Sequence, residues 1–473
     1  MMKDPGALAS TLEVAVQHAM AHLDSDTSRS IGTTAPREVL RERLGRPLSN
    51  DGTNPRTVIE ELARDVEGGI LRSTSGRFFG WVIGGTLPAA LAADWLTSAW
   101  DQNAAIHATA PAVAVIEDVA GEWLKSLFGL PQTASFAFVT GTQMAHVTCL
   151  AAARHRLLKR QGWDVEEAGL IGAPPIRIIT SRERHGTVER ALRVLGFGRR
   201  SVNSLPCNVE GQLEAATLEA ALNDGSGPTI VVLQAGDLNI GAFDPFAELI
   251  PIARKHGAWV HIDGAFGLWV AASPRYRHLL QGADLADSWT NDGHKWLNTP
   301  FDCGYAFVAD PEAHYGAFSH QTSYRIAVDD ARDGLDWNPE FSRRGRAVPT
   351  YAAIRQLGRD GIAELVDRCC AHAHTLVTRI GRLSGAETVW EPTINQGLVR
   401  FLDPSPTATA ADHDRRTDEV IARIVETGEA FFAGAIWRGK RCMRVSVCNW
   451  QTTDADIDRA VAAVETAVAV QPS

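Results

Sequence analysis

Between about residues 99 and 350, short β-rich runs alternate with segments of helical periodicity. This alternation predicts βαβ units, in which mostly parallel strands form a sheet and the connecting helices cover its faces. Ligands of such sheets bind beyond the carboxyl ends of the strands, so we expect the chemistry to follow these ends. The predicted strands are residues 135–140, 176–180, 229–234, 259–263 and 304–310, and the predicted helices are residues 143–159, 187–195, 213–222 and 246–256.

Two segments of different character flank this region. Residues 1–98 are predicted to be mostly helical, and the glycines in FFGWVIGG (78–85) indicate backbone packed closely against a ligand cleft or another subunit. Residues 351–473 have an α+β pattern that ends in a predicted helix at 454–470. We therefore predict an N-terminal helical segment (1–98), a large α/β domain (99–350) and a small C-terminal α+β domain (351–473).

Charge and composition exclude several classes of protein. The formal net charge of -10 argues against a general nucleic-acid binder and against adhesion to an anionic membrane surface. The start MMKDPGALAS lacks the pattern of a secretory signal, and no apolar run is long enough to span a bilayer. Seven cysteines without a CxxC pair fit free thiols in a reducing compartment, so we expect a cytoplasmic protein.

Polar residues of four kinds follow the predicted strands. Gly141-Thr142-Gln143 opens a helix, where backbone N–H groups can bind an anion, although an ordinary strand-to-helix turn has the same pattern. His185 precedes another helix and is alternatively a capping residue. Asp263 ends an apolar strand, where it either faces a cationic ligand atom or caps the next segment. Lys295 lies in an aromatic segment, and a desolvated lysine is a nucleophile, whereas a lone lysine is usually solvated.

Together these features indicate a single cofactor. Pyridoxal 5'-phosphate needs a lysine for its Schiff base, an acid at its pyridine nitrogen and an anion site for its phosphate, and a ring often stacks on its face. The chain offers the anion site, the ring, the acid and the lysine in that order.

The motifs around these residues resemble the group II pyridoxal-phosphate decarboxylases, which include aromatic-amino-acid and glutamate decarboxylases and have the aspartate aminotransferase fold (fold type I). The resemblance covers about residue 75 to the end. It implies a mostly parallel seven-stranded sheet flanked by helices. The motifs that carry the resemblance are His294-Lys295-Trp296-Leu297, Asp263-Gly264-Ala265, His185-Gly186-Thr187-Val188-Glu189, Phe243-Asp244, Ala110-Pro111-Ala112 with Glu117 and Trp123-Leu124, and Ser342-Arg343-Arg344-Gly345-Arg346.

The resemblance implies roles for individual residues. Lys295 would form the Schiff base, Asp263 would pair with the pyridine nitrogen, and His185 and Ala265 would contact the two faces of the ring. The remaining cofactor-binding residues that it implies are Gly141, Thr142, Gln143, Asp237, Asp292 and His294. The substrate would be an amino acid, which would lose its α-carboxylate as CO2 and leave as an amine.

One position departs from the family pattern. Aromatic-amino-acid decarboxylases carry a catalytic tyrosine on a loop before the arginine-rich junction, and the aligned residue here is Gly334. Loss of that tyrosine in relatives is associated with aldehyde-forming chemistry, so an oxidative deaminase or an aminotransferase is the alternative to a decarboxylase. If decarboxylation is retained, the residues that could deliver the proton are His320, Tyr324 and Asp336.

Substrate contacts are predicted in two segments of the chain. Trp81 and Ile83, with Phe79, are candidates to line the pocket, although core packing explains them equally well. His107 lies in a segment that would come from the partner subunit, because the family builds its sites at a homodimer interface, so it is either a substrate contact or an interface residue. We expect no metal site: Cys370, His372 and His374 fall on a predicted helix, where a spacing of two directs side chains to different faces.

Overall fold

The computed structural model describes residues 5–24, 29–320 and 331–471. Within these ranges the chain forms eleven strands and fourteen α-helices. The strands are β1 (Ser135–Val139), β2 (Arg177–Ser181), β3 (Val202–Leu205), β4 (Thr229–Gln234), β5 (Trp259–Asp263), β6 (Ser288–Asp292), β7 (Gly304–Val308), β8 (Ala386–Trp390), β9 (Gln396–Phe401), β10 (Ala433–Trp437) and β11 (Lys440–Ser446). The helices are α1 (Pro5–Leu23), α2 (Arg37–Leu44), α3 (Pro55–Asp65), α4 (Pro88–Trp100), α5 (Pro111–Phe128), α6 (Thr142–Arg160), α7 (Val165–Ala168), α8 (Gly186–Val194), α9 (Ala215–Asn223), α10 (Phe246–Lys255), α11 (Pro311–Phe318), α12 (Ala347–Gly381), α13 (Ala410–Thr427) and α14 (Asp454–Ala469).

Seven strands form the large sheet, in the order β1-β7-β6-β5-β4-β2-β3. The pairs β2–β3, β2–β4, β4–β5 and β5–β6 are parallel, whereas β7 is antiparallel to both of its neighbours, β1 and β6. Strands β1 and β6 therefore run the same way as the other parallel strands. The mostly parallel seven-stranded sheet expected from the sequence is confirmed.

The strand β6 escaped the sequence prediction because its composition is polar. Its five residues, Ser-Trp-Thr-Asn-Asp, are all buried. Such burial is tolerated where the polar groups have partners. Here the Trp259 indole N–H donates to Ser288 Oγ at 2.9 Å, and Asn291 Nδ2 donates to the carbonyl of Gly264 at 2.7 Å. The short strand β3 was also missed.

The second sheet is antiparallel and lies in the C-terminal part of the chain, in the order β10-β11-β9-β8. Helices α13 and α14 each begin with a capping box, made by Thr409 with Asp412 and by Thr453 with Asp456. The long helix α12 is interrupted at Gly358, whose φ of +63° is a left-handed conformation that glycine adopts readily. The division of the chain at residues 98 and 350 remains a prediction.

The N-terminal segment packs against the loop that follows β6 and against the C-terminal part of the chain. A Cβ on Gly84 would overlap the carbonyl oxygen of Lys295, and a Cβ on Gly85 would lie 2.7 Å from Asn449 Oδ1. The close backbone approach predicted for the run FFGWVIGG is therefore found. Phe79 is fully buried and stacks on Phe432 with ring centroids 5.2 Å apart, so it is a core residue. None of the helices in the described ranges is long and apolar enough to cross a membrane.

Candidate active site

The carboxyl ends of β1 and β6 meet at an anion site formed by the start of α6. In the sheet, Gly304 of β7 pairs with Val139 of β1 on one side and with Asp292 of β6 on the other. A Cβ on Gly304 would overlap Gly141, so the close contact requires glycine. The Thr142 N–H at the helix start donates to Asp292 Oδ1 at 2.6 Å. An anion is therefore favoured here, and a carboxylate of the chain itself takes one of the N–H groups.

The hydroxyl of Thr142 and the amide of Gln143 also lie at this end of α6. Thr142 Oγ1 is buried and has no hydrogen-bond partner among the described residues. Since a buried hydroxyl without a partner is costly, it is available to a ligand oxygen. Gln143 follows in the first turn and is half-buried.

Lys295 lies three residues beyond the end of β6. Its Nζ is 3.1 Å from Asp292 Oδ2 and 5.8 Å from the centroid of the Phe266 ring. The side chain is 21% exposed, so the amine is at the edge of the cleft and not in solvent. This lysine can reach the anion site and the end of β5 because β5 and β6 are neighbouring parallel strands.

Asp263 ends β5 and is buried. Its Oδ1 accepts the Ala265 N–H at 3.2 Å, and its Oδ2 is 3.4 Å from His146 Nε2. Burial alone would raise the pKa of Asp263, but His146, His185 and Lys295 together outweigh burial and hold this pKa below its usual range. The carboxylate is therefore charged at neutral pH and can stabilise a neighbouring cation.

His185 caps α8, as its position before a helix predicts. Its Nδ1 accepts the Thr187 N–H at 3.3 Å and lies 2.7 Å from Thr187 Oγ1. Desolvation by surrounding protein lowers the pKa of His185, with Asp263 opposing this and Lys295 adding to it. This favours the neutral ring, and because Nδ1 accepts the hydrogen bond from the Thr187 N–H, the proton of the neutral ring is on Nε2.

His294 lies between Asp292 and Lys295 in the sequence, and its ring lies beside Cys303 and Gly141. Its Nδ1 accepts the Cys303 N–H at 3.1 Å, and its Nε2 is 3.7 Å from Asp292 Oδ2. Burial lowers the pKa of His294 although Asp292 opposes this change. The position that a Cβ on Gly141 would occupy is 3.1 Å from His294 Cε1, so this ring borders the anion site.

Two further predicted residues, Asp237 and Ala265, form hydrogen bonds with the backbone around them. The carboxylate of Asp237 accepts the N–H groups of Asn239, Ile240 and Ala242, the shortest at 2.8 Å. It is therefore turned into its own loop, and its contact with the cofactor remains a prediction. Ala265 is half-buried beside Asp263, and its carbonyl accepts the Asp292 N–H at 2.9 Å.

The three predicted substrate residues are not all brought together. Trp81 is 47% exposed and has a φ of +50°, a strained conformation for a residue of this size. Ile83 is half-buried and directly precedes Gly84, which touches Lys295. His107 lies elsewhere: its N–H donates to Asp333 Oδ1 at 2.7 Å, near the chain's own arginine-rich junction.

Gly334 begins a buried 3₁₀ turn (Gly334–Trp337). A Cβ there would overlap the guanidinium of Arg343 and lie 2.8 Å from the carbonyl of Ala104. The position is therefore closed to any side chain. Of the alternative proton donors, Asp336 is buried in the same turn, His320 is exposed, and Tyr324 lies outside the described residues.

Sequence reasoning missed a buried arginine at the site. Arg444 of β11 is 4% exposed, its Nη1 lies 3.4 Å from the carbonyl of Leu238, and its Nε is buried without a hydrogen-bond partner among the described residues. Burial lowers its pKa to about 10, with Asp237 opposing, and its charge also acts on His185. A charged residue inside an apolar strand was the available signal, the same one that identified Asp263.

Two buried histidines were also given no role from the sequence, although both lie close to residues that were. His146 and His261 are fully buried, and their nearest ring nitrogens are 2.9 Å apart. Over the part of the chain that the structure describes, no three His, Cys, Asp or Glu side chains converge so as to hold a metal ion. His372, for which no metal role was expected, lies 3.3 Å from Asp454.

Comparison with known proteins connects this geometry to a family. A family model described as the pyridoxal-dependent decarboxylase conserved domain matches residues 38–402. The aromatic-L-amino-acid decarboxylase of Bacillus atrophaeus is 25% identical over 450 residues, which cover 93% of this chain and 91% of that protein. The cysteine sulfinic acid decarboxylase of Rattus norvegicus is 26% identical over 443 residues, covering 89% of this chain and 87% of that protein. The crystal structure of Oryza sativa TDC with PLP and tryptamine superposes with a TM-score of 0.91 at 23% identity and covers 99% of both chains.

Proposed function

The chain belongs to the pyridoxal-dependent decarboxylase family, and on that premise we propose that it removes the α-carboxylate of an amino acid to give an amine and CO2. Its cofactor is pyridoxal phosphate, as in the family. The observation that carries the proposal is the convergence of Lys295, Asp263 and His185 at the carboxyl ends of β6, β5 and β2, where each acts on the charge of another.

The residues present fit the cofactor. The start of α6 and the unpartnered Thr142 hydroxyl suit a phosphate, although a phosphate that used the Thr142 N–H would have to displace Asp292. The charged Asp263 suits a protonated ring nitrogen, and Lys295 is the amine that would bond to the cofactor carbon. We propose that Gly141, Gln143, Asp237, Ala265, Asp292 and His294 complete the cofactor site.

Bound pyridoxal phosphate supplies the electron sink that accepts the electron pair released when the carboxylate leaves. The chain's own residues prepare that step. The negative charge of Asp263 would favour a proton on the ring nitrogen, which would keep that ring electron-poor. His185 would stack on the ring of the cofactor, and Asp292 orients the Lys295 amine through their 3.1 Å contact. We propose that Trp81 and Ile83 shield the reacting carbon from water.

Replacing His185 tests its stacking role. In His185→Asn, the ring is lost while a side-chain oxygen can still cap α8, so we expect weaker cofactor binding, by about tenfold, with an unchanged melting temperature. His185→Ala removes the cap as well and should cost about 1 kcal/mol of stability. Titration of the apoprotein with pyridoxal phosphate measures the affinity. Equal affinity in wild type and His185→Asn would refute the stacking role.

We propose that Arg444 binds a carboxylate of the substrate. Its guanidinium is buried beside His185, and its Nε and the weakly engaged Nη1 leave donors for an incoming anion. A buried guanidinium pairs strongly with a carboxylate because both are shielded from water. Arg444 therefore explains how an amino acid is drawn to the cleft.

Arg444→Gln should raise KM for the amino-acid substrate by about tenfold to a hundredfold, because one charged hydrogen-bonding partner is lost. Cofactor affinity should change little. Arg441→Gln is the matched control: Arg441 lies on the same strand and pairs with Asp418 at the surface, at 2.6 Å. Steady-state kinetics of both variants measure the effect, and an unaltered KM in Arg444→Gln would contradict the assignment.

The reaction itself is tested by product analysis. The cofactor-loaded protein is incubated with each common amino acid in air, and products are identified by mass spectrometry together with CO2 and oxygen measurements. An amine and CO2 without oxygen consumption support the proposal. An aldehyde with ammonia and oxygen uptake, or products that depend on a keto acid, would replace it with the oxidative or aminotransferase reaction.

We also propose that the protein is a homodimer, in which the loop around His107 contributes to the partner's cleft. Helix α4 exposes Trp95, Leu96 and Trp100, each at least 40% exposed, and large apolar patches on a surface mark contact sites. Sedimentation equilibrium measures the mass: twice 51.1 kDa is expected, and a monomer at active concentrations would refute the dimer.

A further inference from the structure

A line of buried polar side chains runs from Asp263 into the interior of the protein. His146 Nε2 lies 3.4 Å from Asp263 Oδ2, and His146 Nδ1 lies 2.9 Å from His261 Nε2. His261 Nδ1 is in turn 2.9 Å from Ser288 Oγ, which accepts the Trp259 indole N–H at 2.9 Å. His146, His261 and Ser288 are fully buried, so the line has no contact with solvent along its length.

The two ends of this line determine its direction. The Trp259 indole can only donate, and the charged Asp263 carboxylate can only accept. Between them lie Ser288, His261 and His146, and four contacts join the line. With neutral imidazoles, each of these three groups has one proton to donate to the next. Ser288 therefore donates to His261 Nδ1, His261 Nε2–H donates to His146 Nδ1, and His146 Nε2–H points at Asp263. This arrangement puts a proton on His146 Nε2, which has no hydrogen-bond partner among the described residues and lies 3.4 Å from Asp263 Oδ2.

The pKa of His261, the ring farther from Asp263, agrees with a neutral imidazole at that position. Burial lowers the pKa of His261 well below its usual range, and His146 adds to this effect while Asp263 opposes it. The groups that face His146 and Asp263 from the packed elements are His261 on β5, His185 before α8 and Lys295 after β6. The second oxygen of Asp263, Oδ1, accepts the Ala265 N–H, so both oxygens of the carboxylate are held.

We propose that His146, backed by His261 and Ser288, is a positioning residue that holds the charged Asp263 carboxylate in place for the ring nitrogen of the cofactor. This inference rests on the proposed function, in which Asp263 meets that nitrogen. His146 contacts neither the substrate nor the cofactor in this scheme. It acts on the cofactor through Asp263, so its removal should affect the ring nitrogen more than the other contacts of the cofactor.

A cofactor analogue separates this role from a general structural one. Apoprotein is titrated with pyridoxal phosphate and with 1-deaza-pyridoxal phosphate, whose ring has a C–H group where the natural cofactor has its nitrogen. In His146→Leu, we expect the preference for pyridoxal phosphate over the analogue to fall by about tenfold or more, the effect of losing a hydrogen bond to a charged group. Affinity for the analogue should stay at the wild-type value.

His146→Gln is the conservative control. Its amide N–H can donate to Asp263 while its oxygen accepts from His261, so the preference should stay within about twofold of wild type. Nitrogen-15 NMR of ring-labelled cofactor gives an independent readout: the ring nitrogen should lose its proton in His146→Leu and keep it in His146→Gln.

The outcomes are distinct. An equal loss of affinity for both cofactors, or an unchanged preference in His146→Leu, would overturn the inference while leaving the proposed function in place. Wild-type protein that forms no bond between Lys295 and pyridoxal phosphate would instead overturn the proposed function. If His146→Leu does not fold, Ser288→Ala breaks the line at a distance from Asp263 and should lower the preference a few-fold; no change there would equally contradict the inference.

Discussion

Replacing Lys295 with alanine is expected to abolish turnover, with a loss of about a thousandfold or more, while the protein stays folded. The variant loses both the nucleophile that bonds to the cofactor and the amine that handles protons next to the reacting carbon. Borohydride reduction of the cofactor-loaded protein followed by peptide mass spectrometry should show the added mass on the peptide with Lys295 in wild type and nowhere in the variant.

The control for this prediction is Lys255→Ala, which removes an exposed lysine at the end of α10 and should leave both turnover and labelling unchanged. Circular dichroism and thermal melting establish that Lys295→Ala is folded. The pairing of Lys295 with Asp292 is local, so its loss should not unfold the sheet. Full activity in Lys295→Ala would disprove the assignment of the site.

The second large effect is expected for Asp263→Asn, which should reduce turnover by about a hundredfold to a thousandfold, as for the loss of one electrostatic stabiliser of a transition state. The asparagine keeps the shape of the side chain and an oxygen for the Ala265 N–H, but it removes the negative charge. Without that charge, the ring nitrogen has no reason to stay protonated. Both turnover and the nitrogen-15 shift of labelled cofactor measure the effect.

Asp284→Asn serves as the comparison, because it removes an exposed carboxylate on the protein surface and should have no effect on either measurement. A rate within a factor of two of wild type in Asp263→Asn would show that the ring nitrogen is not supported by this carboxylate. Retained structure is checked by melting, since the amide must be accommodated 3.4 Å from His146 Nε2.

The fold was predictable where each strand has an apolar sequence of its own. Residues 229–234 and 259–263 have the pattern of strands and form β4 and β5 with the same bounds. β6 could not be recognised, because its polar side chains are satisfied by partners distant in the sequence, such as Trp259 and Gly264. The partners are brought together only by the folded sheet. For the same reason, the sequence around the end of β6 and Lys295 is typical of turns: the residues that satisfy its polar groups are distant in the chain.

Residues of the candidate site could be predicted where the chemistry of the cofactor requires one particular type of side chain. Lys295, Asp263 and His185 were identified because a Schiff-base cofactor needs an amine, an acid and a ring. Arg444 and His146 were not, since an arginine on a strand and a histidine in a helix each have many uses. Their significance comes from neighbours more than a hundred residues away in the chain, Leu238 and Asp263 among them.

The closed space at Gly334 also limits which side chains this position can carry. Arg343 occupies that space while it donates to Glu117 Oε2 at 2.9 Å and to the carbonyl of Phe138 at 2.7 Å. A tyrosine at position 334 would require the Arg343 guanidinium to move, which would weaken its pairing with the buried Glu117 and leave Arg332, 3.3 Å away, as the remaining cationic partner of that carboxylate. A side chain with a hydroxyl could therefore be placed at this position only together with changes in the residues that surround it.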